Sequence, residues 1–272
     1  MVDEDKLAKV LLAVRGSSRY ASVAERTVRR IATTALTASG GEVGDAVKRT
    51  KRGLHEVFGA YLPSVPRYER TLEAIRAARD EQALRDALAR AMSSHASTRE
   101  RLPILSEFYA EVFAHLDRPP RVIADLACGM NPLAVRWMPI DDDVVYLASD
   151  IDTRLVAFLD SVLTAMGVAH ETAVRDLVGD EDPAPADVTF LLKTVPCVES
   201  QRRGRGWELV DAVASPIVVV SFPTKSLGQR SKGMYQTYSA AFIAHAADRA
   251  WQTVELEFDN ELVYVITKDQ IV

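Results

Sequence analysis

The chain has 272 residues, 48% of them hydrophobic and 26% charged, a globular composition that excludes disordered, collagen-like and coiled-coil classes. No run reaches the roughly 18 apolar residues of a membrane span. The start MVDEDKLAKVLLAV is acidic where a secretory signal would be basic, so a soluble cytoplasmic protein with no membrane partner is expected. Cys128 and Cys197 are too few for a disulfide framework or a multi-cysteine zinc site. The five histidines, at 55, 95, 115, 170 and 245, show no ligand spacing, so no metal is expected.

Charge divides unevenly along the chain. Residues 1–120 hold 20 Lys+Arg and 16 Asp+Glu, whereas residues 121–272 hold 13 and 22. Arg15, Arg19, Arg26, Arg29, Arg30, Lys48, Arg49, Lys51 and Arg52 face only Glu25, Glu42 and Asp45 in their stretch. A polyanion could dock there, or these residues could be the solvated faces of amphipathic helices.

Helical patterning covers the first 118 residues, with helices expected near 4–14, 19–38, 43–60, 66–79 and 81–94, broken by Ser39-Gly40-Gly41 and by Pro63 and Pro66. Leu102, Leu105, Phe108, Tyr109, Val112, Phe113 and Leu116 then give the strongest i, i+3, i+4 pattern, a helix expected to pack on the next domain. After Pro119-Pro120 the texture changes to short apolar runs at 122–126, 144–148, 188–192 and 217–222, alternating with helical windows. That alternation predicts parallel strands with crossover helices. Two final runs, 252–258 and 262–267, flank Asp259-Asn260-Glu261 and predict a hairpin. The expected fold is α/β: a Rossmann-like seven-stranded sheet ending in an antiparallel hairpin, the class I architecture of S-adenosylmethionine-dependent methyltransferases, behind an all-helical extension. The boundary is placed between a helical module, 1–95, and a methyltransferase domain, 96–272.

On that fold the segment RVIADLACGMNPLAVRWM, 121–138, forms the first strand and its ligand-facing turn. The strand ends at Asp125, Ala127-Cys128-Gly129 makes a small-residue turn, and Pro132 sits in the first turn of a helix, where proline is permitted. The carboxyl end of this strand is where open α/β sheets bind ligands, and the absence of GxGxxG argues against a dinucleotide. Asp150, Ile151 and Asp152 end the second strand; one acid can accept from ribose hydroxyls while the other caps the helix from Thr153. Asp176 and Leu177 come after the third strand, where they can meet a purine, although a solvated Asp176 is equally open.

The fourth strand runs into Lys193-Thr194-Val195-Pro196-Cys197, the position that faces donor and acceptor in such enzymes. It lacks the Asn/Asp-Pro-Pro-aromatic turn of exocyclic-amine methylation. Pro196-Cys197 superficially matches pyrimidine C5 methylation, which needs a thiolate, but no second catalytic cysteine is available; a buried structural Cys197 is the alternative. Guanine N7 needs only positioning, because its lone pair is already nucleophilic, so no certain catalytic residue is expected. Lys193 could assist by holding a phosphate or base edge, or could be a strand-end lysine reaching solvent. Lys193 to Lys232 hold seven basic and three acidic residues, which gathers positive charge at the cleft mouth and favours a nucleic-acid substrate over a free metabolite. Trp137, Phe222 and Tyr235 are candidates to stack on a flipped base.

The segments HASTRERLP at 95–103, DLACGMNPLA at 125–134, YLASDID at 146–152, LLKTVPCVESQRRG at 191–204 and VSFPTKSLGQRSKGM at 220–234 together resemble the aminoglycoside-resistance 16S rRNA guanine-N7 methyltransferases of actinomycete antibiotic producers, over nearly the full length. The resemblance implies S-adenosylmethionine as cofactor, with Arg101 on the methionine carboxylate, Asp125, Ala127, Gly129 and Ile151 beside the donor, Asp150 at the ribose, and Asp176 and Leu177 at the adenine. It implies rRNA contacts from Lys48, Lys51, Arg52, Lys193, Glu199, Arg205, Arg230 and Lys232, and a helical module that binds rRNA. The implied partner is the assembled 30S subunit at its decoding A site, met by a monomer, with resistance to deoxystreptamine aminoglycosides such as kanamycin and gentamicin as the outcome. Adenine-N1 methylation of the same region, a small-molecule acceptor and a non-catalytic RNA-binding role stand as alternatives.

Overall fold

The computed structural model describes residues 2–62, 66–179, 184–225 and 233–268. Its centre is a sheet of β1 (Val122–Leu126), β2 (Val145–Asp150), β3 (Ala169–Val174), β4 (Val188–Leu192), β5 (Ile217–Pro223), β6 (Trp251–Phe258) and β7 (Glu261–Lys268), in the order β3-β2-β1-β4-β5-β7-β6. The first five strands are parallel; β7 inserts antiparallel between β5 and β6. This is the expected seven-stranded sheet with its terminal hairpin. β4 is buried at all five positions, as its continuous apolar run requires, whereas no residue of the edge strand β3 is buried.

The helices are α1 (Glu4–Arg15), α2 (Glu25–Ala38), α3 (Val43–Leu54), α4 (Tyr68–Arg76), α5 (Glu81–Met92), α6 (Ala96–Arg101), α7 (Leu105–Ala114), α8 (Thr153–Ala165), α9 (Thr194–Gln201), α10 (Arg205–Ala212) and α11 (Met234–Ala246). The side chains of Asp3, Glu42 and Asp80 cap α1, α3 and α5 by accepting first-turn N–H groups.

Packing divides the helical segment differently from a single 1–95 module. Residues from Leu7 to Phe58 form a core of their own, whereas Tyr68, Ile75, Leu88 and Met92 join the core on one face of the sheet, with Tyr68 stacked on Phe158 at 4.7 Å. The separate module is therefore α1 to α3 and the turn after them. α4 and α5 belong with the sheet because their apolar faces are completed there.

Beneath the carboxyl ends of the central strands runs a buried polar network. Glu261, fully buried at the start of β7, accepts from both Arg101 Nε and Nη2 and from Ser221 Oγ, with Lys193 Nζ at 3.6 Å. Burial alone would raise this carboxyl, but Arg101 and Lys193 hold it below the ordinary range. Arg101 Nη1 also donates to Asn131 Oδ1 at 2.9 Å, and Asn131 Nδ2 donates to Asp125 Oδ2 at 2.9 Å. α6 is thereby tied to β1 and β7. Replacing Arg101 with Met should leave Glu261 buried against fewer positive charges and cost about 3–5 kcal/mol; a urea-unfolding midpoint equal to that of the parent chain would refute this.

Candidate active site

The site is assembled at the carboxyl ends of β1, β2 and β4. After β1 the chain turns through Ala127 and Gly129, both at φ 52. Glycine is required at 129 for a second reason: a Cβ there would lie 2.8 Å from the His95 ring. The turn is pinned to the end of β2 by Cys128 N–H donating to the Ser149 carbonyl and Gly129 N–H donating to Asp150 Oδ2, at 2.9 and 3.0 Å.

The two acids Asp150 and Asp152 are held differently. Asp152 caps α8 by accepting from Arg154 N, while Asp150, holding Gly129 N–H on one oxygen and Asp152 N–H on the other, lines the cleft. Burial pushes the Asp150 carboxyl up to about 6 despite these hydrogen bonds. A half-buried carboxylate of this kind gains from a further hydroxyl donor.

The cleft, about 780 Å³ and open to solvent, has Ala127, Asp150, Ile151, Asp176, Leu177 and Lys193 on its sheet side. Its other wall comes from the amino-terminal module: Val57, Phe58, Tyr61 and Leu62. That module is fastened beside the cleft by Ala24 N–H to the Ile151 carbonyl, Thr153 N–H to the Ser22 carbonyl, and Arg26 to the Val174 carbonyl. Arg30 grips Asp176 with two donors, Nε at 2.8 Å and Nη2 at 3.0 Å. The helical extension is thus part of the cleft.

Four cofactor candidates, Ala127, Asp150, Ile151 and Leu177, converge on the cleft, as does Asp176 with its carboxylate held by Arg30. Gly129 forms the adjoining turn. Asp125 lies underneath, fully buried, its carboxyl pushed by burial up to about 7; it orients Asn131 and Tyr146 rather than facing the cleft. Arg101 needs the larger correction: it is 1% exposed, is absent from the cleft wall, and gives its guanidinium to Glu261 and Asn131.

The basic residues need more revision. Lys193, 5% exposed, is paired with Glu100 at 2.7 Å, so it sits inside the site rather than on a phosphate-facing surface. The Glu199 carboxylate accepts the N–H groups of Gly204 and Gly206, which makes it the anchor of that loop. Arg205 turns inward, Nε donating to the Leu177 carbonyl at 3.0 Å. Arg15, Arg29 and Arg49 pair with Glu25, Glu4 and Asp45, and Arg19 donates to the Gly59 carbonyl. Arg52 is exposed and pairs with Glu56. Lys48, Arg202 and Arg203 are exposed and Lys51 half-buried. Arg230 and Lys232 lie outside the described residues.

No stacking candidate reaches the cleft. Phe222 is core, Trp137 packs under Arg85, and Tyr235 hydrogen-bonds Glu255. Of the aromatic groups that do line it, Phe58, Tyr61 and His95, the last two stack on each other at 5.6 Å. Sequence reasoning passed over both, although His95 opens the HASTRERLP segment. Burial pushes His95 down to about 4, leaving it neutral and a weak base. Cys197 also lines the cleft, Sγ 2.8 Å from Tyr61 Oη, and burial pushes its thiol up, against the thiolate that C5 chemistry needs.

A parallel sheet closed by a reversed seventh strand, with a cleft at the ends of its first, second and fourth strands, defines a class I methyltransferase. The chain matches the ribosomal RNA methyltransferase (FmrO) family over residues 16–265, and it belongs to that family. It is 57% identical over 269 residues, 97% of this chain and 98% of the relative, to the 16S rRNA (guanine(1405)-N(7))-methyltransferase of Micromonospora echinospora, and 54% identical over 270 residues, 97% and 95%, to that of Frankia casuarinae. Among solved structures, the 16S rRNA methyltransferase RmtF in complex with S-adenosyl-L-homocysteine superposes with a TM-score of 0.84 at 32% identity, covering 99% of this chain and 100% of that one.

If the Arg30–Asp176 pair holds the module against the cleft, Arg30→Ala should weaken binding of S-adenosylhomocysteine by about 10-fold, equivalent to roughly 1.4 kcal/mol. Isothermal calorimetry on the two purified chains would measure it, and equal affinities would show that the pair does not shape the cleft.

Proposed function

We propose that this chain transfers a methyl group from S-adenosylmethionine to N7 of a guanine in the decoding A site of 16S rRNA, the guanine that its relatives' names number 1405. The observation that carries the reading is the cleft itself: the Asp150 carboxylate at the end of β2, apolar walls at Ile151 and Leu177, and, among the described residues that line it, a neutral His95 and a Cys197 held as a thiol. The residues fit the donor. Asp150 accepts from the ribose, Ile151 and Leu177 flank the adenine, Asp176 accepts from its amino group, and the Ala127–Gly129 turn lets the backbone approach. When bound, S-adenosylmethionine supplies an electrophilic sulfonium methyl.

N7 carries a free lone pair, so the protein's share is to orient the base, exclude water and hold both reactants in line. The neutral His95, the protonated Cys197 and the missing amine-binding turn all suit an acceptor that gives up no proton. The assembled 30S subunit is the substrate, met in the cytoplasm by a monomer whose Lys48, Lys51, Arg52, Arg202 and Arg203 contact phosphates and position it. The modification confers resistance to deoxystreptamine aminoglycosides. Among the described residues no helix is long and apolar enough to cross a membrane, and no His/Cys/Asp/Glu group could hold a metal ion.

The test is incubation with labelled S-adenosylmethionine and unmodified 30S subunits, then nucleoside mass spectrometry and borohydride-aniline cleavage. The expected product is 7-methylguanosine with one cleavage site in the decoding region, formed equally by Cys197→Ser. Label in 1-methyladenosine, or none on subunits despite donor binding, would overturn the assignment.

A further inference from the structure

A second cavity, about 540 Å³ with its open mouth, adjoins the donor cleft and shares Tyr61 and Lys193 with it. Its walls suit a flat ring: Tyr61 and Tyr238 with Pro196 and Pro223. Its polar lining is Ser97, which it also shares with the donor cleft, Glu100, Lys193 and Lys225, together with the tyrosine hydroxyls. The Glu100 carboxylate, with its side chain 26% exposed, meets the buried Lys193 ammonium at 2.7 Å, and Asn260 Nδ2 donates to the Glu100 carbonyl, holding that turn against the start of β7. Lys193 has Glu261 as a second partner at 3.6 Å, so it keeps a counter-charge if Glu100 turns toward a ligand.

The groups around a guanine run in a fixed order: the 2-amino and N1–H donors, then the O6 acceptor, then N7. The cavity offers a complementary order, with the Glu100 carboxylate, then the Lys193 ammonium, then the shared boundary with the donor cleft. We propose that Glu100 is the residue that selects guanine, its carboxylate accepting from N1–H and the 2-amino group while Lys193 donates to O6. Adenine would turn its N1 lone pair toward the carboxylate. Reading a base this way requires it to be flipped out of its helix, so that its pairing edge is free. Glu100 touches substrate but moves no proton, and its effect is on which base is accepted.

This inference rests on the guanine-N7 reading, and the experiment separates the two. Small subunits are reconstituted with guanine or inosine, which lacks only the 2-amino group, at the target position. N7 methylation is measured as kcat/KM for the parent chain, Glu100→Gln and Glu100→Asp, with S-adenosylhomocysteine affinity measured alongside. The parent chain should prefer guanine by about 10-fold, the loss of one hydrogen bond to a charged partner. Glu100→Gln should fall by about 100-fold on guanine, with the guanine-to-inosine ratio collapsing toward one and donor affinity unchanged. Glu100→Asp, which keeps the carboxylate, should retain a preference; it decides the matter if the Gln variant is inactive on both substrates. A parent-like ratio in Glu100→Gln, or no guanine preference in an active Glu100→Asp, would overturn the inference alone. A parent chain that makes no 7-methylguanosine on guanine subunits would overturn the functional reading itself, and the inference with it.

Discussion

A carboxylate with no access to water must be surrounded by cations and donors, and in this protein that requirement at Glu261 organises both cavities. Its partners come from three places in the chain, Arg101 at the end of α6, Lys193 after β4 and Ser221 on β5, and meet it at the start of β7. Arg101 passes the constraint through Asn131 to Asp125 at the end of β1, beneath the donor cleft. Lys193 passes it to Glu100 in the second cavity, and Lys193 takes a left-handed backbone conformation, φ 58, at the point where β4 gives way to α9. Such a conformation in a non-glycine residue is sustained only where the surroundings over-determine it. The ion pairs hold donor cleft and base cavity in a fixed relation.

The helical module has two roles that are spatially joined. Tyr61, Phe58 and Leu62 wall the cleft, and the bonds from Ser22, Ala24, Arg26 and Arg30 reach the loops after β2 and β3. Lys48 and Lys51 lie on α3 of this module, in the same small core as the helix that bears Arg30. In the proposed function, contact of the module with rRNA is joined through Arg30 to Asp176 at the donor cleft.

The sheet was legible wherever strands were buried on both faces, because β4 and β5 then read as unbroken apolar runs. β3 gave no such run: AHETAV is an exposed edge strand. The turn at Gly129 and the division between Asp150 and Asp152 could be read locally, since each depends on neighbours within a few residues or on fold position. The arginines could not. Arg30 meets Asp176 across 146 positions and Arg26 meets Val174 across 148, so a count of positive charge does not reveal that these residues are bonded within the chain. Glu199 stood among arginines and suggested RNA, yet its carboxylate closes the turn at Gly204 and Gly206. Tyr61 and His95 were passed over because neither has local patterning that marks it; they become site residues only when the module folds over the sheet.

Catalysis in this cleft is positioning of an already nucleophilic nitrogen. Cys197 is held as a thiol and His95 as a neutral, weak base, so neither supplies a group that must lose a proton as pH rises. Single-turnover methylation of saturated 30S subunits, measured from neutral to mildly alkaline pH, tests this most directly. The predicted result is a rate that stays level across the range. Because the Cys197 thiol titrates above its ordinary value, a thiolate mechanism would instead give a rate that climbs with each increment of pH, and such a climb would contradict catalysis by positioning.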